Sequence, residues 1–298
     1  MELKQAQKQQ VKLRVGISGP SGFGKTYSAL LLAYGMTDDF SKIAIIDTEN
    51  GSANLYSELG NYNTLTLEPP YTPEKYIKAI EVCEKANMEV VIIDSISHEW
   101  SGKGGCLEIH EQLGGRFQDW ARVSPRHQSF IDKILQANCH IITTVRKKVD
   151  YSMDTDQNGK AKVVKLGLRE VTREGFEYEL TVNFEIINDY HLVNTSKDRT
   201  GLFMNKPEFT INPSVGKKLM NWCNNGVDLQ KVKEEIQQCK NLEGLRQIYA
   251  KYPNLKSAIL EDIMTQKAII EDTQTEVVPN AEIINQHKTN NNGTDTNQ

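Results

Sequence analysis

Between an apolar run, Leu13–Ser18, and an amphipathic stretch, Lys25–Gly35, the chain carries Gly19-Pro20-Ser21-Gly22-Phe23-Gly24-Lys25-Thr26. Each fixed position of G-x-x-x-x-G-K-[ST] is filled. A turn of this kind works with a buried strand feeding it and a helix leaving it, which points to an α/β fold. Its backbone N–H groups face inward around an anion, and the helix amino terminus adds about half a unit of positive charge. The expected ligand is a phosphate cradled by Gly19, Pro20, Ser21, Gly22, Phe23 and Gly24. Lys25 is placed to reach the β- and γ-phosphates, and the Thr26 hydroxyl to ligate Mg²⁺.

A magnesium–triphosphate site also needs a carboxylate at the end of a buried strand. Asp94 ends the run Val90-Val91-Ile92-Ile93 and precedes Ser95, which is a Walker B pattern. The plain alternative for such an acid is a cap on the following turn. With Thr26, Asp94 is the expected metal ligand. Asp47 and Glu49 follow another apolar run, in IIDTENGS. Glu49 is the expected general base that orients water, with Asp47 helping to position it; the plain alternative is a pair of solvated loop acids. A guanine-nucleotide switch would carry D-x-x-G after the strand and N-K-x-D later. Here Ser95, Ile96 and Ser97 follow Asp94, and N-K-x-D is absent, which argues against a GTPase.

The runs Leu13–Ser18, Lys42–Asp47, Glu89–Asp94 and His140–Val145 read as buried central strands. Helices are predicted over Lys25–Gly35, Thr72–Asn87 and Asp119–Asn138. This alternation predicts a mostly parallel sheet within a domain covering residues 11–226. After Val145 the period falls to two in KVVKLG, FEYELTVNFEII and YHLVNTS, which predicts antiparallel strands at one side of the sheet. Residues 1–10 form a polar lead-in. Over residues 227–270, apolar side chains at spacings of three and four predict a small α-helical module of two or three helices. Residues 271–298 lack aromatics, are rich in Asn and Thr, and are expected to be disordered.

Composition narrows the function classes. The 298 residues carry 35 basic and 39 acidic side chains, a net charge of −4 that argues against coating nucleic acid by bulk charge. No apolar run approaches the roughly 18 residues that span a bilayer, and MELKQAQKQQ lacks the apolar core of a signal peptide. No membrane contact and a cytoplasmic location are expected. Five scattered cysteines without a C-x-x-C pair predict reduced thiols, not a zinc ribbon or a disulfide framework.

In one direction along the chain, GPSGFGKT, IIDTE, VVIIDS and IITTVRKK resemble the RecA/Rad superfamily of strand-exchange ATPases. Length and layout are most similar to its small phage-encoded recombinase ATPases, the phage AAA-domain nucleotide-binding proteins. The resemblance implies a RecA-like P-loop NTPase core that hydrolyses ATP with Mg²⁺ to ADP and phosphate in a bacterial host cytoplasm. It implies single-stranded DNA as the partner, in annealing or strand exchange. It also assigns water activation to Glu49, and γ-phosphate sensing to Thr143 or Thr144, where the family usually has Gln. Lys197-Asp198-Arg199-Thr200-Gly201 is similar to the K-x-R-x-G element of bacterial RadA-type relatives. There the Lys and Arg reach into a neighbouring subunit's site. Carried over, Lys197 and Arg199 act in trans and the site is completed by a homo-oligomer, a ring or a filament. The plain alternative is a basic β-turn ending a hairpin.

Two segments could meet DNA. Ser101-Gly102-Lys103-Gly104-Gly105 is flexible and carries a cation. Arg146 to Arg169 has a local excess of +4 within a chain of net −4. Lys103, Arg146, Lys147, Lys148, Lys160, Lys162 and Lys165 are the candidate phosphate contacts. The resemblance also places Arg146 near the family's DNA-binding loop. Tyr151 is a stacking platform of the kind worth about 1–3 kcal/mol, and Arg116, Arg122 and Arg126 extend the surface. The alternative is a solvated hairpin with ordinary surface lysines. The acidic tail suits contact with a single-strand-binding protein, or simply solubility. His98, Cys106 and His110 are too sparse for a metal site, and Ser95 with His98 lacks the acid of a hydrolase triad. A P-loop motor and a regulatory ATPase that ignores DNA remain alternatives; a small-molecule kinase would need an arginine-rich lid, which is not evident.

Overall fold

The computed structural model describes residues 11–155, 161–224, 229–252 and 255–275, with backbone alone at 151–155, 161–166, 230, 257 and 273–275. The predicted lead-in (1–10) therefore lies outside the described residues. The chain divides after Cys223 into two compact units.

In the first unit, short β-branched runs form the strands. These are β1 (Arg14–Gly19), β2 (Ile43–Asp47), β3 (Asn63–Thr66), β4 (Val90–Asp94), β5 (His140–Thr155), β6 (Ala161–Glu170), β7 (Val182–Ile186), β8 (Leu192–Asp198) and β9 (Phe209–Thr210). Their order is β3-β2-β4-β5-β1-β7-β8-β9, with β6 paired to β5 off that path. The pairs β2–β3, β2–β4, β4–β5, β1–β5 and β1–β7 are parallel, and β5–β6, β7–β8 and β8–β9 are antiparallel. This is the mostly parallel α/β sheet, with antiparallel strands at one side, that the sequence predicts.

Strands β1, β2 and β4 are buried at every position because helices cover both faces of the sheet, and alternate residues serve opposite sides. Ile43, Ile45, Val90 and Ile92 join one core with α1 (Lys25–Thr37) and α7 (Pro213–Cys223). Ala44, Ile46, Val91 and Ile93 join the other with α2 (Pro73–Lys85) and α5 (Trp120–Gln136). Helix α2 starts as its sequence predicts, with Thr72 accepting from the Lys75 N–H and Pro73 in the first turn. Helices α1 and α7 approach so closely that a Cβ on Gly35 would lie 2.0 Å from the Pro213 carbonyl oxygen.

Where β1 begins, Arg14 is buried and its guanidinium donates to four carbonyls: Leu13 (3.1 Å), Leu135 (3.0 Å), Ala137 (2.6 Å) and Cys139 (2.7 Å). The last three belong to the end of α5 and the segment leading into β5, where helical carbonyls have no partner of their own. Burial pulls the guanidinium down to about 10. Beside it His140 accepts from the Leu13 N–H at 3.0 Å, and burial pushes its imidazole down to about 3, so the ring stays neutral.

The structure departs from the sequence reading in several elements. The run FEYELTVNFEII divides: Phe176–Glu179 is a turn of helix, α6, and only Val182–Ile186 is a strand. Phe176 and Leu180 are four apart and both buried, so one helical turn satisfies the same apolar pattern. Strand β7 was expected to be antiparallel, but it lies parallel to β1 as a central strand and turns antiparallel only towards β8. Strand β5 continues past Val145 into a hairpin with β6. Four short elements lie outside the predicted ones: β3, β9, α3 (Ser97–Ser101) and α4 (Cys106–Gln112). Helix α7 was also missed, although Val215, Leu219 and Cys223 form a buried stripe at a spacing of four.

The second unit contains α8 (Leu229–Gln237), α9 (Leu242–Lys251) and α10 (Lys256–Thr275) among its described residues. Val232, Ile236, Leu245, Ile248, Leu255 and Ile259 form its core. Asn241 caps α9 by accepting from the Gly244 N–H at 2.7 Å. Helix α10 runs to Thr275, into the stretch expected to be disordered; residues 276–298 lie outside the described residues. Among the described residues no helix is long and apolar enough to cross a membrane, and all five cysteines are free.

Candidate functional site

The carboxyl ends of β1, β2 and β4 and the Thr144–Arg146 stretch of β5 share one sheet edge, where the register aligns them. Gly19 stands opposite Arg146, Ile17 opposite Thr144, and Asp47 opposite Asp94. The octapeptide leaves β1 and turns into α1. Gly24 caps the helix at φ 82°, a left-handed conformation that glycine adopts without strain, and a Cβ there would lie 2.9 Å from His191 Nδ1. No acid occupies the first turn of α1, so the positive helix end is not neutralised by the chain itself.

A cavity of 420 Å³ opens over this loop, lined by Gly22, Gly24, Lys25, Thr26, Glu49, Asp94, Arg146 and His191 among others. Lys25 Nζ donates to the Pro20 carbonyl at 2.7 Å. Burial pulls its ammonium down to about 8, with Asp94 raising it and Arg146 lowering it further. Asp94 is buried and takes two hydroxyls, Thr26 Oγ1 on Oδ2 at 2.6 Å and Thr144 Oγ1 on Oδ1 at 2.5 Å. Burial pushes its carboxyl up, and the two hydroxyls pull it back. The Asp94–Ser95 peptide is cis, and Thr48 holds it by donating its N–H to the Asp94 carbonyl and accepting from the Ser95 N–H.

Asp47 turns the loop after β2. Its Oδ1 accepts from the Glu49 N–H at 2.6 Å and its Oδ2 from the Ala53 N–H at 3.0 Å. That turn sends the Glu49 side chain into the cavity. There its carboxylate meets the Arg146 guanidinium and the Ser95 hydroxyl. Lys25, Thr26, Glu49, Asp94 and Thr144, separated in sequence, are thus brought to one place. Thr143, the other sensor candidate, is buried and donates to the Val15 carbonyl at 3.4 Å.

An AAA-domain family profile matches residues 11–210. The chain belongs to that family. Its first unit is an AAA-type P-loop ATPase domain. An ATPase from the type III secretion system of pathogenic bacteria is similar in structure over 86% of this chain and 73% of that one, at 13% identity and a TM-score of 0.41. No curated protein matches the chain.

The remaining candidate residues fall elsewhere on the AAA domain. Lys197 and Arg199 both donate to the Tyr178 carbonyl, Arg199 at 2.6 Å. Lys103 and Lys148 are exposed. Lys147, expected to face DNA, instead pairs with Glu185 at 2.7 Å with only 10% of its side chain exposed. Arg146, expected on the same surface, points inward to Glu49. Both departures follow from β5, which is still within the sheet at these positions and directs their side chains onto neighbouring elements. Arg116 pairs with Asp119 and Arg126 with Glu74. The side chains of Tyr151, Lys162 and Lys165, and all of Lys160, lie outside the described residues; the backbones of Tyr151 and Lys165 are paired across β5 and β6.

Sequence reasoning missed several groups. His191 reaches the loop from the β7–β8 turn, its Nδ1 3.0 Å from the Phe23 carbonyl. Cys106 and His127 converge on the buried Glu99, where the thiol donates at 3.0 Å and His127 Nδ1 lies at 3.0 Å. These partners satisfy one another and tie α3 to α4 and α5. A second cavity, of 1230 Å³, lies between this region and the base of the β5–β6 hairpin. Trp100, Phe117 and Trp120 line it with Lys148, Arg169 and Arg173, and with Asp150, Glu170 and Glu174. His110 stacks on Trp120 at 4.1 Å, and Trp120 on Trp100 at 5.6 Å.

Proposed function

We propose that this protein hydrolyses ATP to ADP and phosphate with Mg²⁺, and couples that reaction to single-stranded DNA in annealing or strand exchange. The observation that carries the catalytic half is the convergence of Thr26 and Thr144 on Asp94 within a cavity that Lys25 and Glu49 also line. A hydroxyl beside a carboxylate is a hard oxygen donor set, the kind Mg²⁺ takes, so Thr26 and Asp94 would hold the ion. Bound there, Mg²⁺ offsets charge on the phosphates. Lys25 and the loop N–H groups hold the phosphate chain. Glu49 accepts a proton from water as its oxygen attacks the terminal phosphorus. The bond to the bridging oxygen breaks and ADP departs with that electron pair.

The DNA half draws support from the second cavity. Its exposed Phe117 ring offers a π-face for a base, and Lys148 with Arg169 and Arg173 offers cations for phosphates. Three acids at the same rim temper that attraction, so contacts from several protomers in a homo-oligomer would be needed.

Hydrolysis rates measured without DNA, with single-stranded DNA and with duplex, for wild type and Lys25→Ala, test both halves. The expected outcome is stimulation by single strands alone, weakening as salt rises, and a loss of about a hundredfold or more in Lys25→Ala. Unstimulated hydrolysis would retire the DNA half. Stimulation by duplex with translocation would favour a motor. Hydrolysis that survives in Lys25→Ala would end the catalytic assignment.

A further inference from the structure

Arg146 stands opposite Gly19 in the β1–β5 register and lines the same cavity as Lys25 and Glu49. Its guanidinium meets Glu49 as a fork, with Nε 2.8 Å from Oε1 and the second nitrogen on Oε2. Ser95 Oγ adds a donor to Oε1 at 3.1 Å. Three of the carboxylate's roughly four lone-pair sites are therefore taken, whereas a general base needs one directed at water. The same fork fits the oxygens of a phosphate as well as those of a carboxylate. A terminal phosphate gripped by Lys25 would enter the cavity that Arg146 and Glu49 share. Arg146 thus faces two anions and can fork only one at a time.

We propose that Arg146 is the residue that tells a triphosphate from a diphosphate: its pair with Glu49 withholds the base, and a terminal phosphate draws the guanidinium away and frees it. The inference rests on the P-loop and Glu49 roles given above. Hydrolysis then becomes conditional on the γ-phosphate, because Glu49 is released only by the group it will help to remove. Separating the ion pair is a cost borne by triphosphate binding alone. Weakening the pair from the Glu49 side should therefore tighten triphosphate binding, and only if Arg146 is there to be released.

The test is a double-mutant cycle in the full chain, with Mg²⁺ and either ADP or the non-hydrolysable β,γ-imido analogue of ATP. Arg146→Ala is expected to weaken the imido analogue at least about tenfold while ADP stays within about twofold. Glu49→Gln should tighten the analogue by about five- to tenfold, and that gain should vanish in the double variant. A gain that persists without Arg146 would mean simple charge repulsion by Glu49 and would overturn the proposal. Arg146→Lys keeps the charge without the fork; it should retain ADP binding and follow Arg146→Ala in the cycle. A lysine variant indistinguishable from wild type would also overturn it. Absence of analogue binding by wild type would instead sink the nucleotide reading itself, so the two failures are separable.

Discussion

At the residue scale, the chemistry turns on charges taken partly out of water and held by neighbours. Lys25 illustrates the consequence. Its ammonium is pulled down to about 8 by burial, so it begins to lose its charge just above neutrality. A bound phosphate favours the charged form and raises the value in the complex. Above about pH 8 the complex therefore holds more protons than the free protein, and linkage requires affinity to fall as pH rises. Binding of the imido analogue should be nearly flat below about pH 8 and weaken by up to about tenfold per unit above it. Calorimetry in buffers of different ionisation enthalpy should show proton uptake on that limb. Affinity that stays level to about pH 9.5 would mean that Lys25 does not contact the phosphates.

At the scale of elements, the parts of the site that were legible are those where one strand's sequence carries the whole signal. An apolar run ending in Asp94, another ending in Asp47, and a Gly-rich turn followed by Lys25 and Thr26 each declare their position without reference to the rest of the chain. The pairing of Arg146 with Glu49, and of His191 with the Phe23 carbonyl, was not legible. Both depend on which strands become neighbours: the first needs β4 to lie between β2 and β5, the second needs β7 beside β1, and nothing local in these strands specifies either. The basic run after Val145, which lies within β5 and β6, reads as a DNA surface because charge can be read from sequence, whereas the direction of a side chain within the sheet cannot. Arg14 is a further case, a cation in an apolar strand whose partners are carbonyls at the end of α5. Replacing it with Met keeps much of its volume but leaves those buried carbonyls without a donor, which should cost about 3 kcal/mol. Lys, with three donors for four acceptors, should fall between. Chemical denaturation of the full chain checks the order; an Arg14→Met protein as stable as wild type would mean that the carbonyls find other partners.

At the scale of the whole molecule, the question is whether one chain holds a complete active site. The proposed site residues Lys25, Thr26, Glu49 and Asp94 all come from one AAA domain, but Lys197 and Arg199 lie on the Tyr178 carbonyl and are not among the residues lining the cavity over the Gly-rich loop. A carbonyl is a weak neutral acceptor for two cations, and both would gain by exchanging it for the phosphates of an adjoining protomer. If they act there, hydrolysis per chain should rise with protein concentration, and Arg199→Ala should lower turnover by about 10³-fold without weakening ADP binding to its own loop. Mixing decides between trans action and a local structural role. Arg199→Ala keeps an intact loop, Lys25→Ala keeps an intact Arg199, and each alone should be inactive. Mixed, they form junctions in which a good loop meets a good arginine, so partial activity should return. Activity that does not return, although the variants still co-assemble, would confine Arg199 to anchoring the turn near Tyr178.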